Sequence, residues 1–550
     1  MTAFFLLVCS VAASMLVIPL AWRLAPRIGM VDQPDPRKVH KLPVPRVGGW
    51  GIVAGCLLPL LLLGTDSNPL LQSFMAGTLV LFAFGAWDDA RQISHWPKFV
   101  GQVLAVGLVI FWGDLYITRL PFFDGDVLAP WAGRIFTMVA MIGVINAINH
   151  SDGLDGLAAG ETLLSLIAVA FLGYLAGAPL VLHLALVVIG GIFGFLRYNT
   201  HPARVFMGDA GSQVLGFATG LLVVYLIQHA NSAASAALPL LLLGLPIADI
   251  CAVLYLRISG DMNWFKATRN HVHHRLLDLG FTHFQSVVVI YSLQACLVTA
   301  AVLLRYAPDL VVIGVYAIAI TGLFTLLWRA ERSGWQLTAD AWRLPAQLSR
   351  ILARLRHSAR VQSGFVWTIA VTVSSLLLLA VFGSHQVPRD FGVFAGVAVL
   401  LAVMVALAYR AWQGMALRVI VYMTVAFATY LLTTYPTEAG VDLQQGFGAV
   451  IILLAVALGI FVRFVPDQSF GATPTDYLIA FALIALLAFG GIGTASTGLG
   501  APLRFVTFSI VLFYGCEIII SHLQRWRSVL GSASLATLLV VAVRGLTTGI

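Results

Sequence analysis

The chain is 550 residues long, 60% hydrophobic and only 10% charged, whereas soluble domains carry roughly a quarter charged residues. That composition excludes a soluble protein and leaves an all-α, polytopic transmembrane one. The net charge of +8 could suit nucleic acid, but its distribution follows the rule that orients membrane helices, so we expect a lipid bilayer and no nucleic acid as partner.

Apolar runs long enough to cross a ~30 Å hydrocarbon core predict spans at 2–21, 48–64, 71–87, 98–113, 134–149, 161–177, 179–196, 211–229, 236–256, 286–304 and 310–328. Six or seven more are predicted near 364–382, 391–409, 417–434, 445–462, 477–493, 504–522 and 531–547. The first run has no Lys or Arg before Arg23, which reads as a retained helix with its N-terminus outside rather than a secretory signal. On that topology the inward connections up to residue 363 hold 21 Lys or Arg, and the outward ones hold three, Arg119, Arg134 and Arg305. The expected location is therefore a bacterial inner membrane, crossed many times, with the chemistry on the cytoplasmic face. Five scattered cysteines without a CxxC pair read as apolar fillers.

Three regions are expected: a membrane core over 1–330, a basic connector over 331–362, and an additional transmembrane domain over 363–550. In the connector Arg343, Arg350, Arg354, Arg356 and Arg360 are spaced for an amphipathic helix on the inner surface, or form an ordinary positive-inside link.

The inward connections of the core also carry nearly every unusual polar residue. Asp88 and Asp89 end an apolar run, where carboxylates sit poorly against the negative end of a helix dipole, so metal or substrate duty is favoured over a solvated helix end. The segment NAINHSDGLDGLAAG, Asn146 to Gly160, combines turn-forming glycines with Asn146, Asn149, Asp152 and Asp155 against an apolar helix. Asp209 stands in VFMGDAGS, a turn that can present a carboxylate to a cation and backbone amides to phosphate. Asn199 and Arg204, just upstream, could bind a nucleotide or phosphate. Finally HVHHR places His271, His273, His274 and Arg275 together, a set better suited to a diphosphate than to zinc, since no Cys or acid completes a tetrahedron.

In order, DQPDPRKVHKLPVPRVGG (Asp32 to Gly49), Asp88-Asp89, NAINHSDGLDGL, VFMGDAGS and HVHHR resemble the successive cytoplasmic motifs of the polyprenyl-phosphate N-acetylhexosamine-1-phosphate transferases, over roughly residues 1–330. The subgroup that uses UDP-GlcNAc and undecaprenyl phosphate is the nearer match. The resemblance implies a phosphoglycosyltransferase that releases UMP and starts cell-envelope glycan assembly such as O-antigen, on UDP-GlcNAc or another UDP-N-acetylhexosamine. It implies Mg²⁺, with Mn²⁺ as an alternative, held by Asp209 and Asp88. Asp88 and Asp89 would act at the catalytic centre, one as a candidate base. Asp152 and Asp155, with Asn149, would organise nucleotide and metal, while His271, His273, His274 and Arg275 would engage the diphosphate. Lys38, His40 and Arg46 would lie near the phosphates. A homodimer is left open. A membrane transporter is the alternative from another class, opposed by acids at helix mouths rather than at mid-membrane.

Overall fold

A computed structural model of the chain describes residues 2–34, 43–62, 68–122, 128–260, 270–337, 359–382, 384, 386–408, 413–435, 446–458, 500–522 and 526–548. They form two compact units, one within Met1–Ala341 and one beginning at Trp342. Among the described residues eleven helices are long and apolar enough to cross a membrane, and four shorter apolar ones accompany them, as expected of an all-α, multi-pass membrane protein.

The first unit runs α1 (Thr2–Leu24), β1 (Val31–Asp32), β2 (Val44–Pro45), α2 (Gly48–Leu62), α3 (Pro69–Arg91), α4 (His95–Phe111), α5 (Pro130–Ser151), α6 (Leu157–Leu175), α7 (Pro179–Asn199), α8 (Asp209–Tyr225), α9 (Pro239–Leu242), α10 (Gly244–Ser259), α11 (Val272–Asp278), α12 (His283–Leu303) and α13 (Asp309–Arg332). These helices match the spans predicted before residue 330, with one exception. The span expected at 236–256 is broken at Leu243, between α9 and α10. Pro246 has no N–H to continue the ladder, and a side chain at Gly244 would meet Leu297 at 2.6 Å. The freed backbone groups find a partner in Gln294 of α12, whose Oε1 accepts from Leu245 N–H at 3.1 Å and whose Nε2 donates to Leu242 O at 3.0 Å. A broken helix survives at this depth because protein, not lipid, satisfies its ends.

Small residues let the helices approach closely, as packing within a bilayer requires. Ser10 and Ser14 of α1 donate to Val187 O and Gly191 O of α7 at 2.5 and 2.9 Å. α8 lies at the centre of the unit, nearly every residue buried, and α3 and α5 pack against it. The ends of α1, α3, α5, α7 and α10, with the starts of α2, α4, α6, α8 and α12, meet at one end of the unit, so the five polar connections converge.

The second unit contains α14 (Ala359–Phe382), α15 (Arg389–Ala408), α16 (Gln413–Thr434), α17 (Gly446–Leu458), α18 (Gly500–His522) and α19 (Arg527–Thr548). Arg418 of α16 reaches Glu517 of α18 with Nε–Oε2 at 3.2 Å and a second contact at 3.3 Å, and Tyr422 donates to the same carboxylate. The span expected at 477–493 and most of the expected surface helix, 338–358, lie outside the described residues.

Candidate active site at the converging connections

Asp88 and Asp89, adjacent at the end of α3, take different roles. Asp89 is buried, 4% exposed, and turns toward the first turn of α8. Its Oδ1 accepts from Asp209 N–H at 2.9 Å and its Oδ2 from Ala210 N–H at 3.0 Å. The reason lies in the sequence before α8: the N-cap is Gly208, which has no side chain to satisfy the orphan amides. Asp89 supplies the missing acceptor from another helix, and its charge suits the positive end of the α8 dipole. Gly208 has φ +72°, and a Cβ there would stand 2.5 Å from Asp89 Oδ2. The glycine therefore serves both the turn and the approach of the carboxylate. With both oxygens engaged, Asp89 holds the first turn of α8 and the Asp209 backbone in place.

Asp88 points the other way. Lys98 Nζ, in the first turn of α4, lies 2.7 Å from Asp88 Oδ2 and 2.7 Å from Asp209 Oδ2. Two carboxylates from α3 and α8 thus converge on a single cation. Gln213 Nε2 adds a 3.4 Å contact to Asp209 Oδ2. Asn149 also hydrogen-bonds the Asp209 carboxyl and donates to Ser212 Oγ at 2.7 Å. Lys98 was absent from the residues expected on sequence grounds. Its signal was available: a lysine opening an apolar run, ten residues after Asp88.

Behind this cluster Asn146 bridges Gln102 Oε1 at 3.0 Å and Ile142 O at 2.8 Å. Gln102 reaches Gln213 at 3.2 Å. Asn146 is therefore a strut between α4, α5 and α8. Asn199, 3% exposed, is likewise committed: it accepts from Gly156 N–H at 2.8 Å and donates to Val205 O at 2.9 Å. It ties the α5–α6 turn to the α7–α8 loop. Arg204 is exposed beside it. Pro45 O accepts from Phe206 N–H at 2.8 Å, and Gly48 and Gly49 donate to Phe206 O and Met207 O, so the first connection is sewn to the α7–α8 loop. Arg46 pairs there with Asp32. Lys38 and His40 lie outside the described residues.

Asp152 and Asp155, three apart, do not share one partner. Asp155 Oδ2 pairs with His201 Nδ1 at 2.6 Å and accepts from Ala203 N–H at 3.0 Å. Its own N–H donates to His283 Nε2 at 3.0 Å. Burial alone would raise the Asp155 pKa, but the His201 hydrogen bond, the Ala203 amide and the nearby charges of His283 and His201 outweigh it and hold the carboxyl below its ordinary value. Asp155, His201 and His283 offer ligand atoms within 4.8 Å of one another. Yet the two rings stack at 4.1 Å and 21°, so their in-plane lone pairs run side by side instead of meeting at a point. The trio is a hydrogen-bonded clamp and a poor metal site. Asp152 is different: burial first, then the negative charges of Asp209 and Asp155, push its carboxyl up to about 7 against a weaker opposing effect of Arg46.

The histidine loop covers this end. A Cβ on Gly153 would stand 2.2 Å from His273 Nε2, so the glycine admits that ring against the Asp152 turn. Burial and the neighbouring His274 push the His273 ring down to about 3, leaving it neutral. His271 stacks between His150 and His273, with centroids at 5.6 and 5.7 Å. Arg275, expected on the diphosphate, is instead held by Glu331 of α13 at 2.6 and 2.8 Å, with its guanidinium 5.7 Å from the Phe324 ring centroid.

The donor set fits a hard divalent cation. Asp88 and Asp209 supply oxygens only, the preference of Mg²⁺, and their shared point already accepts one positive charge in the form of Lys98.

The family model of glycosyl transferase family 4 matches residues 71–227, from the first turn of α3 to just past the end of α8. The chain is 34% identical over 301 residues, 54% of its length, to 84% of a Bacillus subtilis (strain 168) protein named "Probable undecaprenyl-phosphate N-acetylglucosaminyl 1-phosphate transferase". It is 30% identical over 349 residues, 62% of its length, to 91% of the undecaprenyl-phosphate alpha-N-acetylglucosaminyl 1-phosphate transferase of Escherichia coli (strain K12). To the protein of the same name from Yersinia pestis it is 28% identical over 361 residues, 63% of this chain and 94% of that one. With the acids, amides and histidines of those motifs gathered at one end of an all-helical unit, the chain belongs to glycosyl transferase family 4, among the undecaprenyl-phosphate N-acetylglucosaminyl 1-phosphate transferases.

Proposed function

We propose that this protein transfers N-acetylglucosamine-1-phosphate from UDP-GlcNAc to undecaprenyl phosphate at the cytoplasmic face of the membrane, releasing UMP and providing the lipid-linked sugar that begins a cell-envelope glycan. The observation that carries the reading is the convergence of Asp88 and Asp209 on one cation, beside Asp152. An oxygen of the lipid phosphate attacks the sugar-bearing phosphorus. A P–O bond forms, the P–O bond to UMP breaks, and UMP leaves with the bonding electrons. Both reactants are anionic, so repulsion between them dominates the barrier.

Lys98 offers a fixed positive charge at the point where the two carboxylates meet. Asp88 and Asp209 would hold Mg²⁺, which when bound neutralises diphosphate charge and so lowers that repulsion. Asp89 fixes the Asp209 backbone, and Asn149 fixes its side chain. Asp152, with a carboxyl near neutrality, exchanges a proton with the lipid phosphate, since a base works best when its pKa lies near the working pH. His271 and its stacked neighbours meet the diphosphate from the other side. The lipid tail stays in the bilayer while its phosphate reaches the helix ends, which accounts for catalytic groups at that level.

The test is UMP release by the purified full-length protein given UDP-GlcNAc, undecaprenyl phosphate and Mg²⁺. Asp209→Asn and Asp89→Asn are expected to lower turnover by at least about 10²-fold while the protein inserts and purifies normally. Parent-level activity in both would end the assignment. A panel of UDP-N-acetylhexosamines in the same assay fixes the sugar.

A further inference from the structure

An apolar helix hides an ionisable group that none of the polar motifs contains. Asp249 lies in α10, within LGLPIADICAVLYL, and is 6% exposed. Its Oδ2 is 2.7 Å from His271 Nδ1, and its Oδ1 accepts from Val272 N–H at 2.8 Å. A carboxylate at such a depth is costly unless each oxygen is paired, and here one side chain engages two successive residues of the histidine loop. Because a carboxylate can only accept, the shared proton sits on His271 Nδ1. That fixes the ring tautomer and leaves Nε2 as the polar atom able to meet a ligand. The ring plane is set as well, by the stacks on His150 and His273. His150 in turn adjoins Asn149, which holds Asp209 and Ser212, so the held ring sits against the same helix end that serves the cation.

We propose that Asp249 is a positioning residue of the transfer reaction: it holds His271 in one tautomer and one orientation, with Nε2 presented to the phosphate groups of the sugar nucleotide. The inference rests on the reading of His271 as a substrate contact. Asp249 acts through that ring and touches no reacting atom.

Asp249→Asn is the informative change. Its amide oxygen still accepts from Val272 N–H, but its NH₂ can only donate toward Nδ1, which inverts the tautomer. Turnover of UDP-GlcNAc is expected to fall about 10–100-fold, the usual cost of removing a partner that orients a working histidine, with thermal stability close to the parent. Asp249→Glu, which restores a carboxylate, should recover part of the loss. The decisive measurement is the double-mutant cycle: in a His271→Ala background, Asp249→Asn should cost less than about twofold further. Independent, multiplying losses would mean that Asp249 supports the fold and would overturn the inference. His271→Gln gives a second arm that leaves Asp249 untouched. It keeps a polar atom near the Nε2 position but gives up the bond to Asp249, so it should be impaired; parent-like turnover there also overturns the inference, whether or not the Asn variant folds. If His271→Ala is itself fully active, the substrate-contact reading fails. If His271→Ala is impaired while Asp249→Asn is not, only the positioning role fails.

Discussion

Replacing Lys98 with Met isolates the electrostatics of the site. The change keeps a long apolar stem and removes the ammonium that lies 2.7 Å from both Asp88 Oδ2 and Asp209 Oδ2. Those oxygens can be no more than 5.4 Å apart, the sum of the two distances. The side chains are only 9% and 25% exposed, so an effective dielectric near 20 is appropriate. Two like charges at that greatest separation repel by about 3 kcal/mol, and more strongly when closer, while relaxation of the carboxylates or uptake of a proton lowers the penalty. Lys98→Met in the absence of divalent cations should therefore lower the thermal midpoint by several degrees relative to the parent. Mg²⁺ should restore it, and the variant should gain more from Mg²⁺ than the parent does, because the competing ammonium is gone. Turnover should stay low even with Mg²⁺, since the fixed charge facing the phosphates is missing. Differential scanning fluorimetry of the detergent-purified protein, with chelator and then with a Mg²⁺ titration, reads the first effect, and UMP release reads the second. A variant with parent stability in chelator and no extra response to Mg²⁺ would refute the view that Lys98 and a divalent cation share one carboxylate pair.

Gly208→Ala places a Cβ 2.5 Å from Asp89 Oδ2 at a backbone φ of +72°; the expected cost is about 1–3 kcal/mol of strain, with loss of UMP release, and an active variant of parent stability would show that the Asp89 cap is dispensable. Asp152 titrates near 7 rather than at its ordinary 3.8, so its neutral form is favoured by folding: stability is fully present below about pH 4 and declines as pH rises toward 7. Asp152→Asn should remove that decline, giving at pH 8 a protein more stable than the parent by about 1–2 kcal/mol after allowance for solvent screening but poorly active; a parent-like pH dependence of the thermal midpoint would contradict the assignment. Asp155 has the opposite sign, its carboxyl held low, so His201→Ala should weaken the protein most above the ordinary carboxylate range and least in acid, as thermal scans from pH 4 to 8 would register. A chain ending at Arg360 should retain UDP-GlcNAc-dependent UMP release, because the family match over residues 71–227 and the acid and histidine motifs all lie before that point; complete loss with normal insertion would assign the second unit a part in the reaction.

Much of the protein is determined by local sequence. A low charge content with recurring apolar runs of about twenty residues dictates membrane helices, since a helix satisfies every backbone group within its own segment, and the span limits follow to within a few residues. The acid, amide and histidine motifs were also legible one by one, as ionisable groups beside apolar runs. What each side chain does was decided only by tertiary structure, because its partner comes from a distant helix. Asp88 and Asp89 are neighbours in sequence, yet one meets Lys98 of α4 and the other caps α8, whose own N-cap is a glycine. Asn199 and Arg275 read along the chain as polar groups of two separate motifs, and only packing shows that Asn199 engages Gly156 and Val205 and that Arg275 pairs with Glu331. Asp249 could have been suspected from a lone carboxylate in an apolar run, but not its partner, which lies 22 residues away across a loop. Helices are encoded by contiguous composition and can be read along the chain; the ion pairs and hydrogen bonds at their ends depend on how those helices pack, and packing brings together residues more than a hundred positions apart.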